Sequence, residues 1–105
     1  MLTQSYATSV AESSSIDPAS FAEQAAHCVK AAQRAQTHTE RRRQITLARD
    51  AVSDLRKALE SGAFNESQRS RCKQTAEMLH DAAVGHNVTF SLVCALMCLE
   101  KIAGR

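Results

Sequence analysis

The feature that most constrains the fold of this chain is an uninterrupted apolar run near its carboxyl end. All eight residues from Leu92 to Leu99 are apolar, as are eleven of the fifteen from Val88 to Ile102. Eight consecutive apolar residues cover more than two helical turns, so a helix formed by them is apolar on every side. Such a helix needs to be surrounded by its own chain, by a partner or by lipid. Lipid is disfavoured, because a membrane span needs roughly 20 apolar residues and Glu100 and Lys101 end this run.

Composition favours helices in the rest of the chain as well. The 105 residues include one proline and three glycines, alanine is abundant, and runs of β-branched residues are absent. We therefore predict an all-α fold, a three- or four-helix antiparallel bundle in which Val88–Ile102 is the most buried helix. A chain of this length forms one domain, which we place at residues 17–105.

The amino-terminal residues 1–16 are rich in serine and threonine, carry a single charge and show no hydrophobic period. We expect this leader to be disordered, and a serine-rich leader also fits a secretion signal that a bacterial export machine reads. Asp17 and Pro18 then have the residue types of a helix N-cap and of a first helical position.

Two apolar seams with helical spacing lie between residues 18 and 61. The first consists of Phe21, Ala25, Cys28, Ala32 and Ala35, and the second of Ile45, Ala48, Val52, Leu55 and Leu59. The ten-residue step between them turns the apolar stripe by about 80° at about 100° per residue. We expect one long first helix over residues 18–61, straight or kinked near 36–44. The alternative is a break there, which a capping box from Thr37 to Glu40 favours.

A further helix precedes the apolar run, and glycines mark where the helices end. Gly62 is placed to end the helix that carries the second seam. The next seam consists of Cys72, Ala76, Leu79 and Ala83. Gly85 is predicted to stop that helix, and Asn87 to cap the apolar one.

The seams of the first helices contain much alanine, which buries little area at roughly 25 cal/mol per Å². We therefore expect oligomerisation or a dedicated partner to supply part of the burial. The predicted partner-binding residues lie on the apolar carboxyl-terminal helix: Val88, Leu92, Val93, Leu96 and Leu99. Their intramolecular counterparts are predicted to be Ile45, Val52, Leu55 and Leu59.

The sequence shows none of the patterns that are typical of an enzyme. It lacks paired carboxylates in an apolar setting, a glycine-rich phosphate loop and a nucleophile with a recognisable local signature. We interpret the chain as a non-enzymatic helical protein-binding module without a cofactor. A bacterial-type adaptor, export chaperone or assembly factor that acts through homo- or hetero-oligomerisation fits this description.

Two basic clusters, within residues 41–49 and 69–73, support an alternative function as a small dimeric DNA-binding transcriptional regulator. The candidate nucleic-acid contacts are Arg41, Arg42, Arg43, Arg69, Arg71 and Lys73. Arginine and lysine bind phosphates, but the net charge is only +2 and Glu40, Asp50 and Asp54 dilute the first cluster. Aromatic residues do not occur within either cluster, which disfavours stacking on single-stranded nucleic acid.

The four cysteines have a wide and irregular spacing that is not typical of a secreted disulfide framework. The amino terminus also lacks the pattern of a cleaved signal peptide, so we expect a cytoplasmic protein with reduced thiols. Cys94 and Cys98, together with His80 and His86, have the residue types of a four-ligand zinc or copper site. The position of both cysteines in the most apolar run favours core thiols instead, and we predict no bound metal.

Overall fold

The computed structural model describes residues 18–61 and 66–104. These residues form four helices: α1 (Pro18–Arg34), α2 (His38–Ser61), α3 (Glu66–Ala83) and α4 (Val88–Ile102). No strand occurs among the described residues, and the predicted all-α fold is confirmed. The predictions for the leader, for Asp17 and for Gly62 lie outside the described residues.

The four helices form a ring in which each helix contacts two neighbours. α2 and α4 both contact α1 and both contact α3, so α1 lies diagonally opposite α3, and α2 lies diagonally opposite α4. Residues 35–37 and 84–87 are short connections, and helices joined in this way pack antiparallel. One shared core receives side chains from all four helices. The observed structure is therefore the four-helix form of the predicted bundle.

The expected long first helix is replaced by two helices, with the break at residues 35–37. The Thr37 hydroxyl oxygen accepts a hydrogen bond from the Glu40 backbone N–H at 3.1 Å, as an N-cap residue does. Glu40 Oε2 also accepts a hydrogen bond from Gln44 Nε2 at 2.7 Å. The alternative that rested on the capping box is thus correct. Folding back lets the apolar seams of α1 and α2 face each other, whereas a continuous helix would hold them on different sides.

Gly85 ends α3 as predicted. Its φ of 83° lies in the left-handed region, which glycine adopts without a steric penalty. The Gly85 N–H donates to the Ala82 carbonyl at 3.2 Å and the His86 N–H to the Asp81 carbonyl at 2.8 Å, the two bonds of a Schellman motif. Asn87 occupies the N-cap position of α4, but its side chain makes no capping hydrogen bond. Its predicted position is confirmed, and its predicted capping role is wrong.

Small side chains on α1 allow the neighbouring helices to approach it closely. The buried residues of α1 are Ala22, Ala25, Ala26, Val29 and Ala32. The largest fully buried side chains come from the other helices: Leu55 and Leu59 on α2, Leu79 on α3 and Leu99 on α4. The core is therefore built from small side chains on one helix and leucines on the other three.

The buried side of α3 differs in two positions from the predicted seam. Cys72 and Leu79 are buried as predicted. Thr75 is buried in place of the exposed Ala76, and Ala82 is buried in place of the partly buried Ala83. The Thr75 hydroxyl donates to the Arg71 backbone carbonyl at 2.7 Å. This bond satisfies the hydroxyl group inside the core. Thr75 is therefore a core position, although its residue type is polar.

The apolar helix α4 has the predicted bounds and the largest share of buried residues among the described residues of the four helices, but one side of it remains exposed. Phe90, Val93 and Met97 are 66, 41 and 55% exposed. In a ring of four helices each helix has only two neighbours, so the side of α4 that faces away from α1 and α3 stays uncovered. The described chain therefore does not surround its own most apolar segment.

Replacing Thr37 by alanine tests whether the N-cap stabilises the turn between α1 and α2. We expect Thr37→Ala to lower the free energy of unfolding by about 1 kcal/mol, the usual effect of losing an N-cap. Thr39→Ala is the control, since Thr39 is exposed in the first turn of α2. Urea denaturation followed by circular dichroism measures both variants, and equal losses would contradict the capping role.

Two alanine substitutions test which side of α4 belongs to the core. Leu99→Ala removes a fully buried side chain and is expected to lower the free energy of unfolding by about 2–5 kcal/mol. Met97 is more than half exposed, so Met97→Ala should change it by less than about 0.5 kcal/mol. Chemical denaturation distinguishes the two variants, and a similar loss in both would mean that α4 is oriented differently.

Candidate protein-binding surfaces

Three large apolar side chains lie exposed on one side of α4, and we call this surface the α4 outer face. It consists of Phe90, Val93 and Met97. Their spacing of three and four residues places them on one side of the helix, while Leu92 and Leu99 are buried on the other. Single exposed apolar residues are common on proteins, but a group of large ones is typical of a contact surface.

The five residues predicted to bind a partner divide between the core and the surface. Leu92 and Leu99 are 2 and 0% exposed, so the structure places them in the core, where a partner reaches them only if the bundle opens. Val88 and Leu96 are partly buried and pack against the core. Val93 is the member of the predicted set that belongs to the α4 outer face.

Phe90 and Met97 are the residues of the outer face that sequence reasoning missed. In a run that is apolar on all sides, hydrophobicity does not distinguish the buried side from the exposed one. The signal that could have identified the outer side lies just after the run. Lys101 follows Met97 by four residues and therefore shares its side of the helix, and Lys101 is exposed.

The predicted counterparts on α2 are buried in the shared core, but α2 is not a neighbour of α4 in the ring. They are Ile45, Val52, Leu55 and Leu59, all members of the shared core. Because α2 lies diagonally opposite α4, its neighbours are α1 and α3. An ion pair between Lys30 on α1 and Glu100 on α4, with an N–O distance of 3.8 Å, joins α4 to α1.

The second candidate surface is the groove between α2 and α3, which we call the α2–α3 groove. Three cavities of ≈ 840, 190 and 250 Å³ lie along it. Arg42, Arg49 and Arg56 line these cavities from α2 at intervals of seven residues, which places them on one side of that helix. Arg69 and Lys73 line the largest cavity from α3. The groove thus has a row of guanidinium groups along one wall and two further cations on the other.

The residues predicted to contact nucleic acid do not form one patch. Three of the six line the α2–α3 groove: Arg42, Arg69 and Lys73. The other three do not line its cavities; Arg41 and Arg71 are half-buried, and Arg43 forms an ion pair with Glu40 at 3.7 Å. The two predicted clusters are therefore each divided between the groove and other parts of the surface.

Acidic side chains reduce the positive charge of the α2–α3 groove without cancelling it. Three of them line its largest cavity: Glu60, Glu77 and Asp81. Glu60 forms an ion pair with Arg56 at 3.8 Å. Within the described part of the chain, Arg42 and Arg49 form no ion pair. Positive charge therefore dominates at the end of the groove where α2 begins.

The residues considered as metal ligands are not brought together in a cluster. The Cys98 thiol donates to Gln74 Oε1 at 3.8 Å between α4 and α3. His80 lines the α2–α3 groove, and His86 lies exposed in the connection between α3 and α4. Among residues 18–61 and 66–104, no three His, Cys, Asp or Glu side chains are arranged to hold a metal ion.

The four cysteines are free thiols that differ in their environments. Burial raises the pKa of the Cys28 thiol. Burial also raises the pKa of the Cys72 thiol, the nearby Arg56 guanidinium lowers it, and the Glu60 carboxylate raises it. A thiol with a raised pKa contributes less thiolate at a given pH, and the thiolate is the reactive form.

Comparison with known proteins finds no match to this chain among protein-family models, curated proteins or solved structures. None of the four described helices combines the length and the apolar character that a membrane crossing requires. The α4 outer face and the α2–α3 groove are therefore the features of the molecule that bear on its function.

Thiol labelling tests the environments of the cysteines. Cys94 and Cys98 are half-exposed and Cys72 is buried, so we expect iodoacetamide to modify Cys94 and Cys98 first and Cys72 only when the chain unfolds. Raising the pH should speed modification, with Cys72 still the last to react because it is buried and its pKa is raised in the folded chain, so little thiolate forms there before unfolding. Peptide mass spectrometry over time gives the order, and early modification of Cys72 would contradict its place in the core.

Proposed function

We propose that this protein is a non-enzymatic helical protein-binding module of the adaptor, export-chaperone or assembly-factor class. The observation that supports it most is the α4 outer face, where Phe90, Val93 and Met97 are exposed on a helix whose other side belongs to the core. Covering such a surface with another protein is favourable by roughly 25 cal/mol per Å² of apolar area.

The contact that fits this surface is with another amphipathic helix, from a second copy of the chain or from a different protein. Phe90, Val93 and Met97 stand at positions i, i+3 and i+7, the pattern with which a helix packs against a helix or lies in an apolar groove. Lys101 bounds the outer face at its carboxyl end. The matching partner surface is an apolar stripe with a polar or acidic end.

A cytoplasmic setting is part of the same proposal, and free cysteines support it. Disulfides are rare in reducing compartments, where thiols stay reduced, and all four cysteines of this chain are free. Two of them, Cys94 and Cys98, are half-exposed, and exposed thiols persist more readily in a reducing environment.

The alternative function, DNA binding, receives less support from the geometry. A duplex is bound through phosphate contacts spread over one continuous basic face. The arginines predicted for that role divide between the α2–α3 groove and other parts of the surface. Glu77 and Asp81 line the same groove, and their carboxylates repel phosphates.

Met97→Asp tests the proposed contact, because it introduces a charge on the α4 outer face without touching the core. We expect the wild-type chain to self-associate with rising concentration or to retain a partner protein, and Met97→Asp to lose that interaction at an unchanged Tm. Leu47→Asp is the matched control, since Leu47 is a similarly exposed apolar residue on α2. Light scattering after size exclusion gives the mass, and affinity capture gives the partner.

The outcome that contradicts the proposal has two parts. The wild-type chain would stay monomeric at every concentration, and the captured proteins would be the same for wild type, Met97→Asp and Leu47→Asp. A loss of interaction in Leu47→Asp alone would also contradict it, because the contact would then lie on α2.

A further inference from the structure

The α2–α3 groove has a regular geometry that the proposed contact at α4 does not use. At about 1.5 Å of rise per residue, Arg42, Arg49 and Arg56 follow one another at intervals of about 10.5 Å along α2. All three side chains are exposed. The arginine row therefore extends for about 21 Å, long enough to contact an elongated ligand at several points.

Small and apolar side chains lie between the basic residues of the groove. Ala76 is exposed on α3 and lines two of the three cavities. Leu59 and Cys72 line the largest cavity from the core side. A small residue such as Ala76 lets another backbone approach closely, so the bottom of the groove suits an apolar strip rather than a charged one.

From this arrangement we propose that the α2–α3 groove binds an acidic amphipathic helix of a partner protein. A helix that lies along α2 presents side chains at the same seven-residue interval as the arginine row. Glu or Asp at every seventh position therefore meets Arg42, Arg49 and Arg56 in turn. A guanidinium suits this role because it forms paired hydrogen bonds with a carboxylate. The apolar strip of the same helix contacts Ala76.

The chemistry of the groove favours a protein helix over nucleic acid as the occupant. Phosphates are present at every nucleotide, so a nucleic acid would bring charge to the apolar bottom of the groove and to Glu77 and Asp81 as well. A helix can place carboxylates opposite the arginines alone. The described residues that line the three cavities include no Phe, Tyr or Trp side chain on which a base could stack, and His80 supplies the one aromatic ring among them.

This second contact is separate from the proposed contact at α4. The groove lies between α2 and α3, whereas the α4 outer face belongs to the helix diagonally opposite α2. A helix bound in the groove leaves Phe90, Val93 and Met97 free, so one copy of the chain can hold two proteins at once. Binding in the groove therefore does not depend on the contact at α4.

The probe that tests it is a synthetic fluorescein-labelled helix of about 21 residues, three heptads long, with Glu at every seventh position beside a Leu and Ala strip. A peptide of the same composition in scrambled order separates fit to the groove from attraction by net charge. Fluorescence anisotropy at several salt concentrations measures the Kd for the full chain. We expect the patterned peptide to bind more tightly than the scrambled one, and binding to weaken as salt rises.

Charge reversal on α2 identifies the surface that is bound. Arg49 lies in the middle of the row, and we expect Arg49→Glu to weaken binding of the patterned peptide by at least about tenfold. Lys57→Glu changes the net charge by the same amount on the same helix, but Lys57 is exposed and does not line the groove. It should alter the Kd by less than about twofold. Circular dichroism confirms that both variants remain helical.

Several outcomes would overturn the groove proposal. The patterned peptide does not bind, or the scrambled peptide binds equally well, or Arg49→Glu and Lys57→Glu weaken binding to the same extent. Tighter binding of a DNA duplex that depends on Arg49 would overturn it in favour of a nucleic-acid surface. Met97→Asp separates the two proposals, since it should leave peptide binding unchanged even where the contact at α4 is lost.

Discussion

The close packing of helices against the alanine-lined α1 is the interaction on which the rest of the bundle depends. α1 buries four alanines and one valine, and side chains of this size let helix axes approach closely while removing little apolar area from water. The leucines of α2, α3 and α4 are the largest fully buried side chains of the core. The side of α4 that faces this core is buried, and its outer side is exposed.

The turn at Thr37 and the exposure of α4 are linked through the same geometry. Because the chain folds back at residues 35–37, α1 becomes a separate helix and closes a ring of four. Each member of such a ring is covered by two neighbours, and its outer side faces away from both. For α1, α2 and α3 that outer side is largely polar. For α4 it carries Phe90 and Met97, because the apolar run continues around the whole helix.

The helix ends at the connection between α3 and α4 can be predicted from single residues, and the buried side of α4 cannot. Gly85 and Asn87 mark the connection before α4, since the left-handed backbone that both adopt there is open to few residue types. Within the apolar run itself no residue indicates which side of α4 is buried, because the run has no polar side. Lys101, which marks the outer side, lies just after it. Thr75 was missed for a different reason. It is a polar residue type, and it can be buried because its hydroxyl donates a hydrogen bond to the Arg71 backbone carbonyl.

The candidate sites show the same limit of local sequence patterns. The three arginines at residues 41–43 form a basic cluster in the sequence. Consecutive residues diverge by about 100° around a helix, so only Arg42 of the three lines the α2–α3 groove.

Arg49 and Arg56 lie seven and fourteen residues after Arg42 and share its side of α2 through helical repetition. Arg56 also lines a cavity together with Arg69 through the packing of α2 against α3. A groove that carries charge at heptad intervals is best matched by another helix, because only a ligand with the same repeat meets every arginine at once. The arrangement of the charges, more than their number, therefore determines which kind of partner fits.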